Sequence, residues 1–216
     1  MKTTPLKGMK DILPREQRIR DYVQGEILKT YRAAGFERIS TPIMEDMENL
    51  DKSDGGDNLN LIFKVLKRGD KLEKALASGS EKELSDMGLR YDLTLPLSRY
   101  YAANREQLPA PFKVIQTDRV YRAERPQKGR QRQFNQVGVE CLGAEEPTID
   151  AEAIIMLMCF YEKVGIPRDS MRLLLNSMGC EQCRPAYREL VRAYMDEHLK
   201  AYLGVEKVIW VKEGID

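Results

Sequence analysis

Several side chains in residues 120–143, VYRAERPQKGRQRQFNQVGVECLG, are of the types that bind charged ligands. The segment has the pattern of two strands joined by a basic loop, and in a strand residues i and i+2 lie on one face. Before the loop, Arg122 and Glu124 therefore share a face. After the loop, one face carries an aromatic ring, an amide, a position without a side chain and a carboxylate: Phe134, Gln136, Gly138 and Glu140.

A third segment, LRYDLTLP, adds two more polar side chains. If it is a strand, Asp92 and Thr94 share one of its faces. Beside the first two strands they would complete a surface with a cation, three carboxylates, an amide, a hydroxyl and an aromatic ring. The same residues also suit a solvated outer face, and spacing alone does not decide between a ligand site and such a face.

The chemistry open to this surface is electrostatic. The sequence has no GxxxxGK[ST] loop, no GxGxxG after a strand and no HExxH, and its sole histidine is His198. A guanidinium fork such as that of Arg122 can hold a phosphoryl oxygen and offset developing charge. A carboxylate such as that of Asp92 can accept hydrogen bonds from an ammonium group. The residues therefore predict an arginine for phosphate and carboxylates for an amine.

Residues 112–136 concentrate positive charge, with seven basic and two acidic side chains in a chain whose formal net charge is +1. Such a patch suits the phosphate backbone of a nucleic acid. The alternative is the ordinary solvated tip of a hairpin. The basic loop residues that could follow a nucleic-acid backbone are Arg125, Lys128, Arg130 and Arg132.

The chain has 216 residues, enough for one domain with a core. It has no run of about 18 apolar residues, and its start lacks the apolar stretch of a secretory signal, so we expect a cytoplasmic protein without a membrane span. Cys180 and Cys183 form one CxxC, which supplies two of the four ligands of a typical structural zinc site. We therefore expect two reduced thiols in a turn and no metal site.

Hydrophobic periodicity outlines the elements that position these residues. Helices are expected from Pro14 to Gly35, from Pro96 onward, from Thr148 or Asp150 to Gly165, and over residues 184–204. Strands are expected within residues 36–46, up to Leu66, around 89–94, and over 112–120, 133–142, 171–179 and 205–216. The polar segment 73–88 is expected to be a surface insertion. The pattern predicts an α+β domain built on a mainly antiparallel sheet flanked by helices.

These segments resemble a known family. YRAERPQKGRQRQFNQVGVECLG looks like motif 2 of the class II aminoacyl-tRNA synthetases and is most similar to the histidyl-tRNA synthetase family. AGFERISTPIMED is similar to motif 1, with Pro42 as its proline, while KGMKDILP and LRYDLTLP match two further family segments. The resemblance extends from residue 7 to about residue 199 and implies a partial class II synthetase catalytic domain over residues 1–199.

The resemblance implies a reaction. ATP and L-histidine, with Mg²⁺, would form histidyl-adenylate and pyrophosphate, and histidine would pass to tRNA(His); the activity would be that of a histidine–tRNA ligase. A homodimer is implied as well, with Pro42 at its interface.

By position, the resemblance assigns ATP binding to Arg122, Glu124, Arg130 and Phe134. It assigns histidine binding to Asp92, Thr94, Arg122, Gln136 and Glu140, and the tRNA acceptor end to Arg125, Gln127, Lys128 and Arg132. Arg122 would be the catalytic residue, since it would bridge the ATP α-phosphate and the histidine carboxylate.

The sequence also departs from the family. Asp92 stands where many bacterial members have the longer glutamate. No GLDYY-like segment, no motif 3 and no anticodon-binding domain follow, and residues 200–216 form an atypical tail. These departures imply a truncated catalytic fragment that is inactive or weakly active alone.

Two other classes of function stay open. One is a non-catalytic, synthetase-like regulatory subunit of ATP phosphoribosyltransferase, from histidine biosynthesis, which keeps the fold and lacks the anticodon domain. The pair Arg122 and Glu124 and the long basic loop argue against it. The other is a plain RNA-binding module, whose affinity would fall steeply with salt and would need no histidine.

Overall fold

The computed structural model describes residues 1–52, 59–174, 182–190, 193 and 197. The chain divides into two compact units, Met1–Ser170 and Met171–Asp216, where the sequence predicts one domain over residues 1–199. In the second unit, residues 183–190 are helical as expected, whereas residues 171–174 have no regular structure. Cys180, His198 and the tail 200–216 lie outside the described residues. Within the described ranges, no helix is long and apolar enough to cross a membrane.

Five α-helices lie in the described part of the first unit. They are α1 (Pro14–Ala33), α2 (Met47–Lys52), α3 (Asp70–Ser78), α4 (Thr94–Asn104) and α5 (Pro147–Lys163). Proline begins α1 and α5, at a position where its missing N–H leaves no helical hydrogen bond unmade. The predicted helices from Pro14 and from about Thr148 are therefore confirmed.

Six strands form two three-stranded sheets in this part of the chain. The first has the order β1–β5–β6, from β1 (Glu37–Arg38), β5 (Phe112–Tyr121) and β6 (Gln133–Leu142). β5 and β6 are antiparallel, and β1 joins β5 in parallel. The second is antiparallel, with the order β2–β4–β3, from β2 (Met44–Asp46), β4 (Ser85–Leu89) and β3 (Lys64–Leu66). The predicted α+β class and the strands 112–120 and 133–142 are confirmed.

Helices cover the two faces of the β5–β6 hairpin unequally. On the face of the odd-numbered residues, Ile115 is buried in a cluster with Ile27, Tyr31, Phe36 and Phe160 of α1, α5 and the turn before β1. On the opposite face, Leu97 of α4 packs on Phe112 and Val114, at one end of the strands. Burial of these apolar side chains provides the main favourable free energy of folding. The rest of the even-numbered face mixes polar side chains, such as Asp118 and Gln136, with the apolar Val120 and Phe134.

Residues 73–88, which are predicted to be a surface insertion, contain regular secondary structure. They include most of α3, a 3₁₀ turn over Glu81–Leu84, and the beginning of β4, the central strand of the second sheet. Ala75 is buried, and a Cβ on Gly88 would lie 2.7 Å from Leu50 Cδ1. The two buried positions of this segment are small residues, Ala75 and Gly88, so polar residues dominate the sequence pattern.

Candidate active site

The β5–β6 hairpin places the predicted row of side chains on one face. Phe134, Gln136 and Glu140 of β6 lie opposite Val120, Asp118 and Val114 of β5 in a continuous antiparallel register. Alternate residues of such a strand keep to one side of the sheet. The row, with Gly138 between Gln136 and Glu140, therefore extends over about 20 Å, at about 3.4 Å per residue.

Arg122 directly follows β5 and is fixed by backbone contacts. Its N–H donates to the Arg132 carbonyl at 2.9 Å, and its Nε donates to the Tyr91 carbonyl at 3.1 Å. The guanidinium carbon lies 5.1 Å from the centre of the Phe134 ring, which is a cation–π contact. Among the described residues, none forms a hydrogen bond or ion pair with Nη1 or Nη2, so both groups can meet a ligand.

A pocket of about 460 Å³ brings together all four residues that the resemblance assigns to ATP, Arg122, Glu124, Arg130 and Phe134. Its other lining residues are Arg20, Gly129 and Gln131. Arg130 Nη1 lies 3.8 Å from Glu124 Oε2, a weak ion pair because Arg130 is largely exposed. An aromatic ring can stack on a base, and guanidinium groups bind phosphate oxygens. The pocket therefore has the chemistry of a nucleotide site.

The far end of the row carries a hydroxyl group and two carboxyl groups. Thr94 Oγ1 donates to Glu140 Oε1 at 3.0 Å. Burial of the Glu140 carboxyl raises its pKa; the hydrogen bond from Thr94 opposes this, and the nearby charge of Asp92 adds to it. The net direction is upward, as expected for a carboxyl group that is withdrawn from water near a second carboxyl group.

Asp92 and Thr94 do not lie on a strand, which corrects the sequence prediction. β4 ends at Leu89, Asp92 lies in a bend, and Thr94 is the first residue of α4. Asp92 Oδ1 accepts a hydrogen bond at 3.2 Å from the N–H of Leu95, in the first turn of α4. The helix start, rather than strand alternation, brings Thr94 to Glu140.

Gln136 contributes an unsatisfied polar atom to the row. Its Oε1 is buried and has no hydrogen-bond partner in the described part of the chain. A buried acceptor without a donor costs about 1–3 kcal/mol. A ligand N–H beside Gln136 would therefore be stabilised, and an ammonium group most strongly.

The loop between the two strands narrows to a tight turn at its tip. Gln127 and Arg130 exchange backbone hydrogen bonds of 3.2 and 2.9 Å around Lys128 and Gly129. Gly129 has a φ of 82°, a conformation that such two-residue turns require. Arg125, Gln127, Lys128 and Arg130 are all exposed, so a large partner can reach them.

Arg132 lies at the base of the loop, unlike these exposed residues. Its Nε donates to the Glu124 carbonyl at 3.0 Å, and its backbone N–H donates to the Gly8 carbonyl at 2.7 Å. A Cβ on Gly8 would lie 2.7 Å from Pro126 Cγ and 2.9 Å from Arg132 Cγ. The glycine of the KGMKD segment therefore allows the amino-terminal residues to pack on the loop.

The chain is similar to known proteins over most of its length. The sequence profile of the family described as Histidyl-tRNA synthetase matches residues 8–182, which are most of the chain. The chain belongs to the histidyl-tRNA synthetase family. A histidine–tRNA ligase of Leifsonia xyli subsp. xyli is 38% identical over 213 residues, which cover 95% of this chain and 49% of that protein. The chain thus spans about half the length of the curated relatives it matches.

Solved structures agree with the family and the fold. The apo histidyl-tRNA synthetase of S. aureus matches with a TM-score of 0.63 and 26% identity, over 96% of this chain and 51% of that one. A Bacillus halodurans structure described as an ATP phosphoribosyltransferase regulatory subunit/histidyl-tRNA synthetase has a TM-score of 0.63 over 97% of this chain and 53% of that one. Its identity is 19%, so it shows the fold alone. The fold is that of a class II aminoacyl-tRNA synthetase catalytic domain.

Arg90 is a central residue of this synthetase fold that the sequence analysis missed. Its side chain is fully buried; Nη1 donates to the Thr41 carbonyl at 2.8 Å and Nε to the Arg119 carbonyl at 3.0 Å. Nη2 forms an ion pair with Asp118 Oδ2 at 2.8 Å. Arg90 therefore fastens the motif 1 turn and the segment before Asp92 to β5. Its position between Leu89 and Tyr91 was the available signal, because an arginine among buried residues must be paired.

Arg20 of α1 is a second residue that the sequence analysis missed. It lines the nucleotide-like pocket, and its Nη2 lies 2.7 Å from Glu16 Oε1. Nothing in the spacing of the α1 residues indicates this role, since the hairpin that it approaches is about a hundred residues farther along the chain.

Pro42 is exposed in the segment between β1 and β2. Apolar side chains of the same region are exposed as well: Ile43, Met44 and Met87. Contiguous exposed apolar residues mark interaction surfaces. The predicted interface residue Pro42 therefore lies among exposed apolar side chains.

Proposed function

We propose that this chain forms part of the catalytic domain of a cytoplasmic histidine–tRNA ligase, which uses ATP to activate L-histidine as histidyl-adenylate and transfers it to tRNA(His). The observation that supports this most strongly is the shared pocket of Arg122, Glu124, Arg130 and Phe134. It lies at one end of a single row of side chains whose other end is the Thr94–Glu140 pair. One continuous face thus offers sites for a nucleotide and for an amino acid.

The ATP end of the face would act through Arg122. Its position is set by the Tyr91 carbonyl and the Phe134 ring, which leaves its terminal nitrogens for the α-phosphate and the histidine carboxylate. A preset guanidinium stabilises charge as it develops on the phosphoryl oxygens, without reorganisation during the reaction. Phe134 would stack on adenine, and Glu124 would accept a hydrogen bond from its amino group.

The histidine end would use the acceptors of the row. Gln136 Oε1, which has no donor, and the carboxylate of Asp92 would receive the α-ammonium group. Glu140 would face the imidazole, held by its hydrogen bond from Thr94. A ligand that carries positive charge at both places would stabilise the ionised form of Glu140 and so lower its raised pKa.

Mg²⁺ would enter this site with the nucleotide. Within the described ranges, no three His, Cys, Asp or Glu side chains gather into a metal-ligating group. Nucleotide sites commonly hold Mg²⁺ through substrate phosphates, one or two carboxylates and water, and Glu124 is the carboxylate that the pocket offers. The ion would offset phosphate charge there.

The exposed loop and the Pro42 surface would serve the macromolecular partners. Arg125, Gln127 and Lys128 form an accessible, mainly basic tip that suits the tRNA acceptor end. The exposed apolar residues beside Pro42 suit a homodimer. Because the chain spans about half of its relatives, we expect little or no aminoacylation by residues 1–216 alone.

Ligand binding by the full 216-residue chain tests the proposal. Calorimetric titration with ATP·Mg²⁺ and with L-histidine should give saturable binding for each. Arg122→Ala should remove ATP binding, whereas Arg125→Ala, an exposed loop arginine, should leave it unchanged. If the parent chain binds neither ligand, or if both variants bind ATP like the parent, the proposed function is rejected.

A regulatory subunit of ATP phosphoribosyltransferase is the second candidate. It is supported by the likeness to the Bacillus halodurans structure, at the level of fold. Such a subunit would bind histidine through Thr94 and Glu140 without need of the Arg122 pocket. Histidine binding with no ATP binding, together with binding to a phosphoribosyltransferase, would favour this candidate over the ligase.

A further inference from the structure

The segment that joins β4 to α4, residues 90–94, crosses the even-numbered face of the β5–β6 hairpin. At one end, the Tyr121 N–H donates to the Arg90 carbonyl at 3.0 Å. At the other end, Thr94 Oγ1 donates to Glu140 Oε1 at 3.0 Å. The segment therefore runs over the hairpin from the loop end of β5 to the carboxyl group of the proposed histidine end.

Leu93, in the middle of this segment, is seated on Gly138 of β6. The Leu93 side chain is fully buried. A Cβ on Gly138 would lie 3.5 Å from Leu93 Cβ and 3.7 Å from Leu93 Cδ1, which are ordinary contact distances. A glycine inside a strand often marks such a close approach of another part of the chain. A side chain larger than that of alanine at position 138 would therefore displace Leu93.

Gln116 of β5 lies directly opposite Gly138 and is buried as well. Its Nε2 donates to the Leu93 carbonyl at 3.2 Å, and its Oε1 accepts from Thr41 Oγ1 at 3.3 Å. A carbonyl oxygen can only accept, so the amide nitrogen is the end that must face Leu93. Gly138 and Gln116 thus hold the side chain and the carbonyl of the same residue.

Tyr91, two residues before Leu93, is anchored by different contacts. Its ring is buried in a separate hydrophobic cluster with α2 and the segment before β3. Its carbonyl accepts the hydrogen bond from Arg122 Nε. A shift of Leu93 would therefore pass to its direct neighbours, Asp92 and Thr94, and leave Arg122 in place.

We infer that Gly138 and Gln116 are positioning residues for the amino-acid end of the site. They seat Leu93, and through it they hold Asp92 and Thr94 at the places where an amino acid would meet them. The inference rests on the proposed function, which makes L-histidine the ligand.

The contact that depends on this seat tolerates little movement. A side-chain hydrogen bond is lost beyond about 3.5 Å, and the bond between Thr94 and Glu140 is already 3.0 Å long. A displacement of Thr94 by roughly 0.5–1 Å would break it, and misplacement on this scale is enough to weaken a ligand site severely.

A size series at position 138 is the first test, with L-histidine and ATP·Mg²⁺ titrated calorimetrically into the 216-residue chain. Gly138→Val adds two methyl groups to a carbon that already touches Leu93. It should weaken histidine binding at least about tenfold and leave ATP binding nearly unchanged. Gly138→Ala should have a smaller effect on histidine. Asn135→Val, at an exposed position on the opposite face of the same strand, is the control and should change neither affinity.

The carbonyl contact and a compensating pair of substitutions give the second test. Gln116→Met keeps the length of the side chain but leaves the Leu93 carbonyl without its donor, so it should weaken histidine binding at least about fivefold and spare ATP binding. Leu93→Ala, added to Gly138→Val, makes room for the valine and should restore most of the lost histidine affinity. A valine that occupied the place of the ligand itself would not be compensated in this way.

Three results would overturn the inference. The first is histidine binding like that of the parent in Gly138→Val or Gln116→Met. The second is an equal loss of both ligands in these variants, which would show that the whole hairpin is disturbed. The third is a double variant with Leu93→Ala that still binds no histidine. The parent chain tests the proposed function separately: a parent that binds neither ligand rejects that function, whereas a parent and variants that all bind both ligands reject the positioning role alone.

Discussion

Thr94 and Glu140 join the first turn of α4 to β6 by a hydrogen bond of 3.0 Å between Oγ1 and Oε1. The two residues are 46 positions apart in the chain. The contact holds Glu140 half-buried and near Asp92, and like charges in one site make ionisation costly. This pair therefore fixes both the geometry and the charge preference of the proposed histidine end.

The pKa of Glu140 gives a prediction about stability. Burial raises the pKa of Glu140 above its usual 4.5, so ionisation of Glu140 destabilises the folded state. This destabilisation is complete at pH values above the raised pKa and absent at pH values below 4.5. Glu140→Gln keeps an acceptor for Thr94 and removes this cost. The variant should be more stable than the parent at neutral pH, and the difference should vanish as the pH falls.

Thermal unfolding between pH 4 and pH 8 measures this difference. Glu145→Gln, an exposed carboxylate near the end of the same strand, provides the control and should show no such trend. A Glu140→Gln variant that is less stable than the parent at neutral pH would contradict the prediction.

Asp118 should show the opposite pH dependence. Burial alone would raise its pKa, but contact with the Arg90 guanidinium and with the Arg119 N–H lowers it below its usual value. Its stabilising contribution is therefore present above the unfolded pKa and is lost as the pH falls through the folded one. Asp118→Asn should lower the free energy of unfolding by about 1–2 kcal/mol near pH 7. This is less than the roughly 3–5 kcal/mol lost when a fully buried pair is broken, because Asp118 is partly exposed.

Chemical denaturation at pH 7 and at acidic pH checks this second prediction. The difference in the free energy of unfolding between Asp118→Asn and the parent should become smaller at acidic pH. Asp118 is then protonated in the parent, so neither protein offers Arg90 a negative charge. Glu106→Gln, an exposed carboxylate, serves as control. A gap that stays constant with pH would show that the ion pair with Arg90 is not its source.

Phe134 and Thr94 should separate the two ends of the proposed site. Phe134→Leu removes the ring over which Arg122 lies and should weaken ATP binding about tenfold or more, because stacking on a base contributes about 1–3 kcal/mol. Thr94→Val removes the hydrogen bond to Glu140 and should weaken histidine binding instead. Titration of each variant with both ligands measures this, and equal losses for both ligands in either variant would contradict the assignment.

The sequence predicts the β5–β6 hairpin well because its pattern is local. Alternation along ten residues and a basic loop define the strands, their face and the positions of Phe134, Gln136 and Glu140. The α1 boundaries are equally local, since Pro14 and Gly35 flank the helix. Where one type of periodicity dominates a segment, the sequence alone is sufficient to predict the element and the face on which its side chains lie.

The rest depends on contacts between distant segments. Asp92 looks like a strand residue, but its side chain accepts a hydrogen bond from the Leu95 N–H of α4, a local contact that competes with strand structure. Arg90 looks like an exposed charge until carbonyls of Thr41 and Arg119 surround it. Nothing in spacing reveals that Arg20 lines the same pocket as Glu124. Such partners are defined by tertiary packing, which one-dimensional patterns do not contain.

Arg132 provides a prediction in which the structure revises the sequence. The resemblance assigns it to the tRNA end, and its loss would then spare nucleotide binding. In the structure, its Nε holds the Glu124 carbonyl and its N–H holds the Gly8 carbonyl. Arg132→Ala keeps the backbone N–H and its bond to Gly8 but removes the Nε hydrogen bond to the Glu124 carbonyl. It should therefore displace Glu124 and weaken ATP binding as well as tRNA binding, by about threefold to tenfold for one lost hydrogen bond.

Lys128→Ala is the matched comparison for Arg132→Ala. Lys128 lies at the exposed tip of the same loop, so its loss should weaken tRNA binding through one phosphate contact and leave ATP binding unchanged. Titration of both variants with ATP·Mg²⁺, and with tRNA(His) at two salt concentrations, separates the two roles. If Arg132→Ala binds ATP like the parent and loses only tRNA affinity, Arg132 acts on the tRNA directly, and its contact with the Glu124 carbonyl does not shape the nucleotide pocket.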